Sequence, residues 1–270
     1  MKEKVIFFDL DDTLVVEIAS AEESFIEAGK YAEKLYGLNP NRLHESVRKQ
    51  ARRIWYDMPT YHYCKKIGIS SWEGLWARFN GDNLNVKELH KRKESYQINS
   101  WYNALLDFKI QDIELAKELA KRFNDERRKR HILFPDVKDV LETVTDDYRL
   151  GIITNGIPDL QWEKIHGAGI EDFFENIIIS GDFDVCKPDK EIFSIALKKF
   201  QALKKNCIMV GDSIKTDIIG ANNNGINSVW VNRNNKENKY PIKPDFIISN
   251  LIEIINILNF DFINFKKKTS

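Results

Sequence analysis

The chain has 270 residues, 43% of them hydrophobic, and its 41 basic residues balance its 41 acidic ones. That length and apolar content suit a soluble globular protein with a sizeable core, in one large domain or two smaller ones. The zero net charge gives no reason to expect a nucleic-acid polymer or an anionic membrane as partner, so any anion site must be built locally.

The first predicted strand begins at Val5, in VIFFDLDDTLV, where four apolar residues run into Asp9, Asp11 and Asp12. Four residues are too few for the apolar region of a signal peptide, and no later run approaches the roughly 18 apolar residues of a membrane span, so a cytoplasmic address is expected. Cys64, Cys186 and Cys207 are far apart with no CxxC pair, which predicts ordinary reduced thiols.

The interval from 16 to 131 holds no comparable strand. AEESFIEAGKYAEKLYG, VKELHKRKESYQINSWYNALL and DIELAKELAKRFNDERRKRH show helical spacing. The aromatics Trp55, Tyr61, Tyr63, Trp72 and Trp76 are expected in the packing of this helical unit or in its contact with the core. The basic cluster KRFNDERRKR, with its interleaved acids, reads as a solvated helix face. FPDVKDVLETV then reads as the return to the core.

From 149 onward, five more segments rich in Val, Ile and Phe predict strands: RLGIIT, NIIIS, CIMVG, NSVWV and DFIIS. Amphipathic segments separate them, among them IPDLQWEKIHGAG and KPDKEIFSIALKKF, the latter with Pro188 at the first helical position and Asp189 in the first turn. KKKTS reads as a solvated tail. Alternating strands and helices imply a parallel sheet covered on both faces. The expected fold class is therefore α/β, a three-layer Rossmann-like core formed by 1–15 and 132–270, with an all-helical cap, 16–131, inserted after the first strand.

In such a sheet, ligands bind beyond the carboxyl ends of the strands. Asp9, Asp11 and Thr13 follow the first strand, Thr154 and Asn155 the second, Lys187 the third, and Asp212 and Asp217 the fourth. One lysine cannot neutralise four acids, and oxygen-only ligands favour a hard divalent cation such as magnesium. Thr154, turn amides and one ammonium suit a tetrahedral anion sharing its charge with the metal, and phosphate is the natural candidate. Asp9 would act as nucleophile and Asp11 as the acid that protonates the leaving group. Cys186 has no histidine placed to activate it and reads as a packed residue.

DLDDTL, ITNG, KPD and GDSIKTD follow one another in the order and spacing of the four motifs of the haloacid dehalogenase superfamily, and the chain resembles its phosphatase branch with a helical cap. The likeness covers 1–15 and 132–270; the cap is similar only in position and helical character. It implies that Asp9 forms an aspartyl-phosphate and that Asp11 is the general acid/base, its backbone carbonyl joining Asp9 and Asp212 on the metal. Leu10, Asp11, Thr154, Asn155 and Lys187 would hold the phosphoryl group, Lys187 bridging it to the nucleophile. Asp217 would support the metal's waters and Thr13 would orient the first-motif loop, while Asp12 stands at a variable position without a role.

The expected activity is magnesium-dependent hydrolysis of a small phosphate monoester, a mononucleotide or sugar phosphate, by a monomer or homodimer. A 2-haloacid dehalogenase on the same fold lacks an acid at the position of Asp11, and a phosphonoacetaldehyde-type hydrolase would need a Schiff-base lysine such as Lys65 or Lys66. A phosphosugar mutase would differ only in its product. A non-catalytic binding module would be expected to have lost one of Asp9, Asp11, Lys187 or Asp212.

Overall fold

The computed structural model describes residues 2–260. Among them, β1 (Val5–Phe8), β2 (Arg149–Thr154), β3 (Asn176–Ile179), β4 (Cys207–Gly211), β5 (Asn227–Val231) and β6 (Phe246–Ile248) form one parallel sheet in the order β3-β2-β1-β4-β5-β6. β1 is central, with Val5 to Phe8 in register against Arg149 to Ile152 on one side and Cys207 to Val210 on the other. Its four apolar residues are needed because both faces are covered. Ile6 and Phe8 pack with Val140 and Leu141 on one face, and Val5 and Phe7 pack with Phe193 and Met209 on the other.

The first face is covered by α7 (Val137–Val144) and α11 (Ile254–Phe260), the second by α9 (Lys190–Lys199) and α10 (Ile219–Asn223). Asp189 is the N-cap of α9, accepting from the Glu191 N–H at 2.9 Å. Pro188 therefore lies before the helix rather than at its first position, because an aspartate side chain satisfies the free amides better than a first-turn residue could. No helix among the described residues is long and apolar enough to cross a membrane. The KKKTS tail lies outside the described residues.

Between β1 and β2 run α1 (Ile18–Tyr36), α2 (Pro40–Tyr56), α3 (Tyr61–Ile67), α4 (Ser71–Gly74), α5 (Leu84–Leu106) and α6 (Ile113–Arg128). They enclose a core of their own in which Phe25 stacks on Phe123 with centroids 4.1 Å apart, and in which Trp55, Tyr63 and Trp76 are buried. In the basic cluster at the end of α6, Lys121, Arg122 and Lys129 are exposed as expected of a solvated face, and Arg127 departs from it. Arg127 is fully buried, 2.8 Å from Glu17 and over the ring of Trp76, since a paired guanidinium with an aromatic platform tolerates burial that a lone charge does not.

Two strands of chain connect this unit to the sheet, and they lie side by side. The Val16 N–H donates to the Ile132 carbonyl at 2.8 Å, and the Phe134 N–H donates to the Leu14 carbonyl at 3.0 Å. Asp12, for which the sequence suggested no role, fixes the start of α1. Its backbone is left-handed (φ 57°), and its carboxylate accepts from the amides of Glu17 and Ile18 at 3.0 and 3.1 Å.

Candidate active site

β1, β2 and β4 end side by side, so the residues that follow them meet in one crevice at the reversal of strand order. Asp9 leaves β1 with its amide still bonded to the Val210 carbonyl at 2.9 Å. Its carboxylate is 2.6 Å from the ammonium of Lys187, which lies 2.8 Å from Asp217 on its other side. Lys187 and Asp217 are almost wholly buried, at 2% and 0% exposure. Asp217 also accepts from the Ser213 N–H at 3.0 Å. It fits beneath β4 because position 211 is glycine: a Cβ there would sit 2.2 Å from an Asp217 oxygen.

Thr13 ties the first loop to the fourth, its hydroxyl accepting from the Asp212 N–H at 3.0 Å. Leu10 is fully buried and its carbonyl receives the Leu14 and Val15 amides. The Asn155 side chain is engaged by the backbone of Lys187 at 2.8 and 3.0 Å, so it holds the lysine's segment in place. Thr154 is buried, and its hydroxyl accepts from Gln161 at 2.6 Å.

The carboxylates of Asp9, Asp212 and Asp217 each offer an oxygen within 4.8 Å of the others. Burial pushes Asp9 up to about 7 despite Lys187, and burial with the charges of Asp9 and Asp217 pushes Asp212 up to about 8. Burial disfavours the charge on Lys187 too, but Asp217 and Asp9 outweigh it and hold the ammonium protonated. Negative charge is thus left over around all-oxygen donors, which fits a hard divalent cation such as magnesium.

Asp11 points elsewhere. Its carboxylate is bound by Lys164 at 2.9 and 3.0 Å and by Gln161 at 3.0 Å, both residues of α8 (Pro158–Ala168). The two acids at the end of β1 are therefore turned apart, each with its own lysine. Neither Gln161 nor Lys164 was singled out in the sequence. The available signal was their i, i+3 spacing, which places both polar residues on one face of the helix that opens after β2.

The helical unit reaches this site through the end of α3. The Ile67 carbonyl accepts from the Gly156 N–H at 3.1 Å and from the Ser180 hydroxyl. Gly68 follows with φ +82°, where an added Cβ would lie 2.9 Å from that of Asn155. Gly68→Ala is expected to cost about 1–2 kcal/mol through its left-handed backbone alone, with the close approach adding to that. Chemical denaturation measures it, and a wild-type midpoint would mean the seam accepts a side chain there.

The family model for haloacid dehalogenase-like hydrolases matches residues 3–225. The phosphoserine phosphatase of Thermus thermophilus is 31% identical over 252 residues, covering 93% of this chain and 97% of that one. The glyceraldehyde 3-phosphate phosphatase of Pyrococcus furiosus is 38% identical over 265 residues, covering 94% and 92%. Among solved structures, the magnesium-bound HAD-hydrolase YfnB of Bacillus subtilis has the same fold, with a TM-score of 0.63 at 21% identity over 96% of this chain and 100% of that one.

Proposed function

Because this chain belongs to the haloacid dehalogenase-like hydrolases and is a phosphatase, we propose that it hydrolyses a small phosphorylated metabolite through a covalent aspartyl-phosphate on Asp9. The observation that carries this reading is the line Asp9, Lys187, Asp217, with the ammonium 2.6 and 2.8 Å from the two acids beside Asp212. Such a site holds one carboxylate rigidly while leaving negative charge to be offset by a cation and drawn toward a transferring group.

Asp9 attacks phosphorus as the bond to the ester oxygen breaks, and Asp11 gives its proton to that oxygen, so an alcohol departs. Water then attacks the phosphorus while Asp11 takes back a proton. The aspartyl bond breaks, inorganic phosphate leaves, and both acids return to their starting states. Lys187 keeps Asp9 oriented and neutralises charge on the phosphoryl oxygens, which Leu10, Asp11, Thr154 and Asn155 also cradle at the loop ends. Magnesium, held by Asp9, Asp212 and the Asp11 backbone carbonyl with Asp217 in support, would neutralise the equatorial oxygens of the transferring group. Residues 16–131 act as a cap that keeps bulk water out and limits the substrate's size.

The substrate class draws support from the two relatives, whose names specify phosphoserine and glyceraldehyde 3-phosphate. The test is phosphate release from those two esters, sugar phosphates and mononucleotides, with magnesium and with chelator. Release from one chemical class that chelator abolishes is expected. A folded protein that releases no phosphate from any of them would overturn the reading, and a rearranged phosphate ester as product would indicate a mutase.

A further inference from the structure

The steps above use Asp11 but assign no task to the buried charges on its far side. Lys164 and Gln161 are fully buried. The Lys164 ammonium reaches both oxygens of Asp11, a Glu73 oxygen at 3.0 Å and a Glu17 oxygen at 3.2 Å. Gln161 uses one amide group for two contacts, donating to Asp11 at 3.0 Å and to the Thr154 hydroxyl at 2.6 Å. Asp11 belongs to the loop after β1, Glu17 to the start of the helical unit, Glu73 to α4 within it, and the lysine to α8 of the core.

We propose that Gln161 and Lys164 are positioning residues for Asp11, fixing how its carboxyl meets the ester oxygen, and that Glu73 completes this support when the cap is seated. The inference rests on the aspartyl-phosphate reading and adds to it. Asp11 lies beyond β1, where no strand neighbour orients its side chain, and the two α8 residues hold both of its oxygens. Gln161 also links the acid to Thr154, so the proton donor and a phosphate-binding hydroxyl share one support. Glu73 is itself aimed by Ser70, whose amide and hydroxyl donate to its other oxygen at 2.9 and 2.7 Å.

Stability is a poor account of this cluster. Buried charges of this kind are commonly replaceable by apolar groups without loss. One oxygen of Gln161 is buried here with no hydrogen-bond partner among the described residues. What the cluster does contribute is a fixed geometry around one catalytic carboxyl.

The test compares two substrates that the wild-type protein hydrolyses, p-nitrophenyl phosphate, whose leaving group departs without a proton, and an alkyl phosphate, whose leaving group needs one. In Gln161→Leu, kcat/KM on the alkyl ester, which reports the step that releases the alcohol, is expected to fall on the order of tenfold further than kcat/KM on p-nitrophenyl phosphate; Lys164→Met is expected to widen that gap to on the order of 10²-fold. Should Lys164→Met fail to fold, Gln161→Leu and Glu73→Gln decide. Equal losses on both esters, or no loss in the folded variants, would overturn the positioning role while leaving the hydrolase reading intact. A wild-type protein that hydrolyses neither ester overturns both.

Discussion

Asp9→Asn is expected to abolish turnover, with phosphate release falling on the order of 10⁴-fold or more, as when an enzyme loses the nucleophile of a covalent route. The same substitution should leave the fold nearly untouched. An amide has the shape of the carboxylate, Lys187 keeps Asp217 at 2.8 Å, and the charge that Asp212 and Asp217 oppose is gone. A thermal midpoint within a few degrees of wild type, beside lost activity on the best substrate, would place the defect in the chemistry. Retained activity in Asp9→Asn would rule out an aspartyl-phosphate at this residue.

Lys187→Met should do the reverse to stability. The ammonium is 2% exposed and stands between two carboxylates, and removing it leaves Asp9 and Asp217 buried without their cation. Breaking a buried pair in this way costs about 3–5 kcal/mol, which for a chain of this size lowers the melting temperature on the order of 10 °C. Turnover should be lost as well, because nothing then orients Asp9. Added magnesium is expected to restore part of the midpoint and none of the rate, since a cation among the acids replaces the charge but not the lysine's contacts. An unchanged midpoint in differential scanning calorimetry would mean the two acids share a proton instead of relying on Lys187.

The inner strands β2, β1, β4 and β5 were legible in the sequence because a strand buried on both faces has to be apolar throughout. The edge runs were legible from their β-branched content, although Ile247 of β6 is exposed. All six such runs became strands, and the acids, threonine and lysine that follow them met at one end. The middle of the chain was harder to read. α2 is strongly polar apart from one narrow stripe, Leu43, Val47, Ala51 and Trp55, and α3 and α4 are too short to show a period. Lys164 and Arg127 were illegible for a different reason. A lysine on a helix looks solvated until its partners are known, and those of Lys164 lie at positions 11, 17 and 73, far away in the chain.

The paired crossing of the chain at 14–16 and 132–134 bears on how the molecule assembles. β1 and β2 are neighbours in the sheet yet lie at opposite ends of a very long loop, a topology that ordinarily slows folding because the ends must find one another. If the helices between them form first, their two ends emerge already hydrogen-bonded to each other, Val16 to Ile132 and Leu14 to Phe134. β1 then meets β2 as though only a short loop joined them, a saving of about 2 kcal/mol in closure entropy. The helical insertion thereby serves as a splint for the central strand pair, and the order of events it favours is helices first, sheet second.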